Sequence, residues 1–101
     1  MDFTINNLRE SAVTVARAIG YLIIDTNQNE YNMVRRLDRD NYPRFHAYVK
    51  QQGDNYIFSL HLDQKKPIYG AAGVHAHNGE YFGPVVENEA NRIKNAVNNN
   101  D

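Results

Sequence analysis

Residues 44 to 63 carry the pattern that most narrows the folds open to this chain. Phe45, Ala47 and Val49 alternate with Arg44, His46, Tyr48 and Lys50; after a polar stretch at 51–55 that contains Gly53, Tyr56, Phe58, Leu60 and Leu62 alternate with Ile57, Ser59, His61 and Asp63. A period of two is the mark of a strand with one buried face, and two such runs joined by a short polar loop read as an antiparallel hairpin. A slip of one residue would turn a whole apolar set toward water, so Phe45 must oppose Leu60 or Leu62. In the second of these registers His46 lies directly opposite His61.

The flanking sequence supplies partners for that buried face. Thr4 can cap a helix over about 5–19, along which Ile5, Leu8, Ala12, Val15 and Ile19 recur at spacings of three and four, and Gly20 follows where a left-handed C-terminal residue belongs. Tyr21 to Ile24 can begin a strand or extend this helix. Tyr31, Met33, Val34 and Leu37 indicate a strand over 30–37, followed by a turn at 38–42 that ends at Pro43. Gly83 and Pro84 precede a second helix over about 84–97, with Val86, Ala90, Ile93 and Val97 on its apolar side. The order predicts an α+β fold: a two-layer sandwich whose antiparallel sheet of three or four strands carries an N-terminal and a C-terminal helix on one face, in α-β-β-β-α order. Leu8, Val15, Ile19, Phe45, Phe58, Leu60, Val86 and Ile93 should then form one buried cluster.

At 101 residues, with 42% apolar and 23% charged residues, the chain fits a single globular domain over 1–101. A net charge of −1 gives no overall field toward nucleic acid or an anionic membrane. The charge is uneven, however: residues 35–66 hold seven basic groups against four acidic ones. No cysteine is present, which removes disulfides, thiolate catalysis and zinc knuckles. Ala18 to Ile24, like every other uncharged apolar stretch, is far short of the roughly 20 residues a membrane span needs. The opening Met-Asp-Phe-Thr has no secretory pattern, and a cytoplasmic location with no membrane partner is expected.

The chemistry concentrates in the second half. His46, His61, His75 and His77 are the four histidines, and Gln64 to Gly83 is a stretch of about 20 residues without a clear element, a length that points to a functional loop. Tyr69, Tyr81 and Phe82 give this loop apolar groups with which to fold back over Ile57 and Tyr48, bringing His75, His77 and Glu80 toward His61 and Asp63. Imidazoles titrate near neutrality, so His46, His61, Asp63, His75 and His77 are candidates for proton transfer. Arg44, Lys65, Lys66, Tyr69, Glu80 and Tyr81 are candidates for ligand binding, the basic ones as holders of phosphate. His75-x-His77, with His61 or Asp63, also suits a divalent metal, although the proton-transfer reading needs no cofactor. The plain alternative is a set of surface polar residues with no shared role. Walker and dinucleotide loops are missing, and neither Ser11 nor Ser59 sits in a nucleophile elbow.

Over about residues 8–63 the order of elements resembles the double-stranded-RNA-binding fold, and within it the HicA-type mRNA-interferase toxins. Ala18-Ile19-Gly20-Tyr21 matches the family's helix ending at a glycine before an aromatic, and Arg44-Phe45-His46-Ala47-Tyr48-Val49-Lys50 matches its histidine-bearing strand. The resemblance implies RNA as substrate and His46 as the catalytic position. A typical double-stranded-RNA-binding domain starts its last helix with lysines, where this chain has Val85-Val86-Glu87-Asn88-Glu89, so passive duplex binding is not expected. Two classes of function follow: a small protein acting on nucleic acid or a phosphate-bearing ligand, or a non-enzymatic module that docks another protein, with a His/Asp metal-binding domain as a further alternative.

Overall fold

The hairpin forms in the register that pairs Phe45 with Leu62 and His46 with His61. A computed structural model describes residues 1–65 and 78–98 of the chain. Its elements run β1 (Asp2–Ile5), α1 (Ala12–Ile19), β2 (Leu22–Asn27), β3 (Glu30–Arg36), β4 (Arg44–Gln52), β5 (Asn55–Lys65), β6 (Asn78–Glu80) and α2 (Pro84–Asn98). Gly53 and Asp54 turn the hairpin between the paired Gln52 and Asn55, with Gly53 at φ 59°, a left-handed conformation that glycine adopts without steric cost.

The strands order as β1-β5-β4-β3-β2, every pairing is antiparallel, and β6 also pairs with β5. Because β4 occupies one edge of β5, β1 and β6 share the other. β1 runs against Tyr56 to Ser59 and β6 against Leu62 to Lys65. The fold is α+β with two helices, as expected, but its sheet has more strands than predicted, and a strand precedes the first helix.

That strand comes from residues read as the start of helix 1. The chain turns at Asn7, φ 59°, and the helix begins only after Ser11, whose Oγ accepts the Thr14 backbone N–H. Ile5 and Leu8 are buried all the same, one from β1 and the other from the connection, where the Leu8 N–H donates to the Asp54 carbonyl. Helical spacing of apolar residues therefore arose here from a strand and a loop that feed the same core. Gly20, φ 81°, ends α1 by donating its N–H to the Ala16 and Arg17 carbonyls, and residues 22–27 continue as an edge strand.

One buried cluster holds the whole predicted set, Leu8, Val15, Ile19, Phe45, Phe58, Leu60, Val86 and Ile93, together with Met33, Ala47, Val49, Tyr56 and Leu62. Both helices therefore lie on the side of the sheet to which Phe45, Phe58 and Leu60 point. The opposite side bears no helix among the described residues. None of the described helices is long and apolar enough to cross a membrane.

A polar clamp ties α2 to the rest. Glu89 is buried, accepts the Tyr21 hydroxyl at 2.6 Å and the Arg92 Nε at 2.6 Å, and pairs with Arg35 at 3.3 Å; Arg92 also donates to the Ile19 carbonyl. The spacing of α2 reads Glu89 only as part of an acidic helix start, since its partners come from 54 and 68 residues away. Burial, and then the hydrogen bond to Glu89, push the Tyr21 phenol far above its ordinary value. Glu89→Ala should lower the unfolding free energy by about 2–4 kcal/mol, because it strands the Tyr21 hydroxyl and two guanidinium groups, whereas Tyr21→Phe should cost about 1 kcal/mol. Urea titration of the two variants checks both the sign and the order.

Candidate functional site

Because the apolar sets of β4 and β5 point at the helices, their alternate residues form the floor of the uncovered face. Register aligns these residues in rows across the sheet: Arg36, Arg44 and Asp63; then Leu22, Val34, His46 and His61; then Asp25, Asn32, Tyr48, Ser59 and Asp2. The middle of this face is where titratable groups meet. His46, His61 and Asp63 are all buried although no helix among the described residues covers them.

The three side chains converge on one point. His46 Nδ1 lies 3.2 Å from His61 Nε2, His61 Nε2 lies 2.9 Å from Asp63 Oδ1, and His46 Nδ1 lies 3.5 Å from Asp63 Oδ2. The far nitrogen of His46, Nε2, meets Asn32 Oδ1. An amide oxygen only accepts, so His46 carries a proton on Nε2 and its Nδ1 is the nitrogen turned toward the centre of the cluster. Asn32 thereby orients His46 so that Nδ1 donates to Asp63 when the ring holds two protons and offers a lone pair to the centre when it holds one.

Aromatic rings wall the cluster on both sides. Tyr48 lies 4.5 Å from His46 between ring centres, and Tyr81 stacks on His61 at 5.0 Å and 24°. Arg44 Nε stands 3.7 Å from Asp63 Oδ2, and the Arg44 guanidinium sits 4.6 Å above the Tyr42 ring. Burial alone would raise the Asp63 carboxyl, but hydrogen bonds from His46 and His61 outweigh it and hold the carboxyl well below the usual carboxylate range.

Of the residues singled out from the sequence, His46, His61, Asp63, Arg44 and Tyr81 come together here. Glu80 does not. It pairs with Leu62 in β6, accepts a hydrogen bond from Gln64, and so belongs to the helix side of the sheet. Of the segment expected to fold back, Asn78–Glu80 lies beside Leu62 to Lys65 as β6, and the expected approach of His75 or His77 to His61 and Asp63 falls outside the described residues. Lys65 ends β5 and is paired through its backbone with Asn78. Lys66, Tyr69, His75 and His77 lie outside the described residues. Two contributors were not singled out, Asn32 and Tyr42. The signal for Asn32 was the inward pattern of Tyr31 and Met33, which sends Asn32 outward, but only the β3–β4 register sets it beside His46.

Comparisons with models of known protein families, with curated proteins and with solved structures give no match.

A carboxyl whose folded value is depressed stabilises the native state above its unfolded value and loses that contribution as pH falls toward its folded value. The stability difference between the native protein and Asp63→Asn, measured by urea unfolding in EDTA, should therefore shrink as the pH falls below about 4. A difference that stays undiminished down to about pH 2 would contradict the depressed carboxyl.

Proposed function

We propose that the uncovered face of the sheet is a divalent transition-metal site, with His46 Nδ1, His61 Nε2 and Asp63 as its protein ligands. The observation that carries this reading is the spacing of the donor atoms: the two ring nitrogens are 3.2 Å apart, and the Asp63 carboxylate comes within 2.9 Å of His61 Nε2 through Oδ1 and 3.5 Å of His46 Nδ1 through Oδ2. Ligands at about 2.0–2.2 Å from one ion stand about 3.3–3.5 Å apart when tetrahedral and about 3.0 Å apart at right angles. The cluster spans that interval. Two imidazoles and one carboxylate also make a donor set suited to zinc or iron(II), leaving at least one position open to water or substrate.

Asn32 supports the same reading from outside the cluster. A ligating histidine usually donates its second ring N–H to a fixed acceptor, which sets its tautomer and raises its basicity. His46 Nε2 with Asn32 Oδ1 is such an arrangement. Burial and the walls of Tyr48 and Tyr81 add a low-dielectric surround that strengthens the attraction between the ion and Asp63.

Metal-free acid–base catalysis on RNA, with His46 and His61 on opposite sides of a phosphate, finds less support. Their nitrogens face each other at 3.2 Å, which leaves no width for a phosphoryl group between them. A base and an acid acting on the two sides of one phosphorus must stand apart by that group's own size.

Isothermal titration of the EDTA-treated, dialysed protein with zinc should show one site. His46→Ala, His61→Ala and Asp63→Ala should each abolish saturable binding, while Asn32→Ala should weaken it by about 10–100-fold. Unaltered zinc binding in all three ligand variants would overturn the proposal.

A further inference from the structure

We infer that the metal site is one half of a binding site for a phosphate group, and that Arg44 and Arg36 form the other half; this rests on the metal reading above. Arg36 and Arg44 are directly opposed in the β3–β4 pairing and share the uncovered face with Asp63. Like charges set opposite one another across a sheet destabilise it. Among the described residues, the one carboxylate paired with Arg44 is Asp63, and Asp63 is already shared between two imidazoles.

The contact between Arg44 and Asp63 is itself incomplete. At 3.7 Å it is an ion pair without a hydrogen bond, and Arg44 Nε, shielded from water, has no hydrogen-bond partner among the described residues. A buried donor left in this state costs about 1–3 kcal/mol, more for a charged group. Tyr42 lies under the guanidinium and fixes its plane, so the fork is held ready rather than left to search for a partner.

Charge balance identifies the ligand. A divalent ion, Asp63 and the two arginines would leave a local excess of three positive charges. A phosphate group, with about two negative charges near neutrality, offsets most of that excess and matches the guanidinium fork in geometry, with oxygens left over for the metal. The other end of the same face, with Asp2, Asp25 and Glu30, repels an anion and confines it to the arginine end. From Asn32 and Tyr48 a shallow cavity of about 380 Å³, lined also by Asp25, Asn27, Lys50 and Ser59, leads away from the metal and can receive an uncharged polar body attached to the phosphate.

Cobalt(II)-loaded protein tests this, because the visible bands of cobalt report its ligands. Inorganic phosphate should shift those bands in a saturable way, and Arg44→Gln and Arg36→Gln should each weaken phosphate at least tenfold in protein kept saturated with cobalt. Glycerol 1-phosphate in a parallel titration distinguishes the source: tighter binding than inorganic phosphate assigns an esterified ligand, and equal binding assigns free phosphate, either outcome supporting the inference. Cobalt that binds but ignores both phosphates, or responds equally in the arginine variants, overturns this inference and leaves the metal reading standing. Cobalt that fails to bind overturns both.

Discussion

Burial of one side of the β4–β5 hairpin determines what faces the other side. Phe45, Ala47 and Val49 can enter the core together with Phe58, Leu60 and Leu62 only in a pairing of this parity, and the two-residue turn at Gly53 and Asp54 sets Phe45 opposite Leu62. Removing a Phe or Leu of this set from the core costs about 2–5 kcal/mol, and a one-residue slip would expose all of them at once. The penalty for such a slip is therefore at least comparable to the whole stability of a domain this size. His46 opposite His61, and Arg44 opposite Asp63, are held by that penalty and by the turn rather than by their own attraction.

This division of labour lets the uncovered face hold together groups that would not by themselves set the pairing. Two imidazoles with nitrogens at 3.2 Å, and two arginines side by side, are unfavourable neighbours in isolation. A sheet needing only solubility on its outer side would intersperse opposite charges and expose them. Here His46, His61 and Asp63 are buried on a side without a helix, walled by Tyr48 and Tyr81. On the metal reading proposed above, the chain gives up stability there in favour of binding. The Glu89 clamp on the opposite side shows the contrasting case, a buried charge whose partners are all supplied by the fold itself.

The sequence made the hairpin legible because its signal is local: the alternation lies within 20 residues, and both registers it allows can be written down without knowing the rest. The same reading brought His46, His61, Asp63 and Arg44 to one face. Helix 1 was misjudged at its start because Ile5 and Leu8 have helical spacing but reach the core from a strand and a loop, and only the β1–β5 pairing distinguishes the two. Glu80 was placed on the wrong side because parity in β6 is set by its pairing with Leu62, which no local pattern announces. Asn32 and the Glu89 partners were illegible for a related reason. Their roles depend on contacts across strands or on residues more than 50 positions away, where periodicity carries no information.

The claim on which the rest turns is that His46, His61 and Asp63 bind one ion together. X-ray absorption at the zinc edge measures this most directly, on zinc-loaded protein in which His75 and His77 are replaced by glutamine so that only His46 and His61 can supply imidazole. The account predicts a first shell with two imidazole nitrogens at about 2.0–2.1 Å and carboxylate oxygen at about 2.0–2.2 Å, with the outer-ring scattering of two imidazoles. A shell made of oxygens alone, or one that contains a single imidazole, would contradict it.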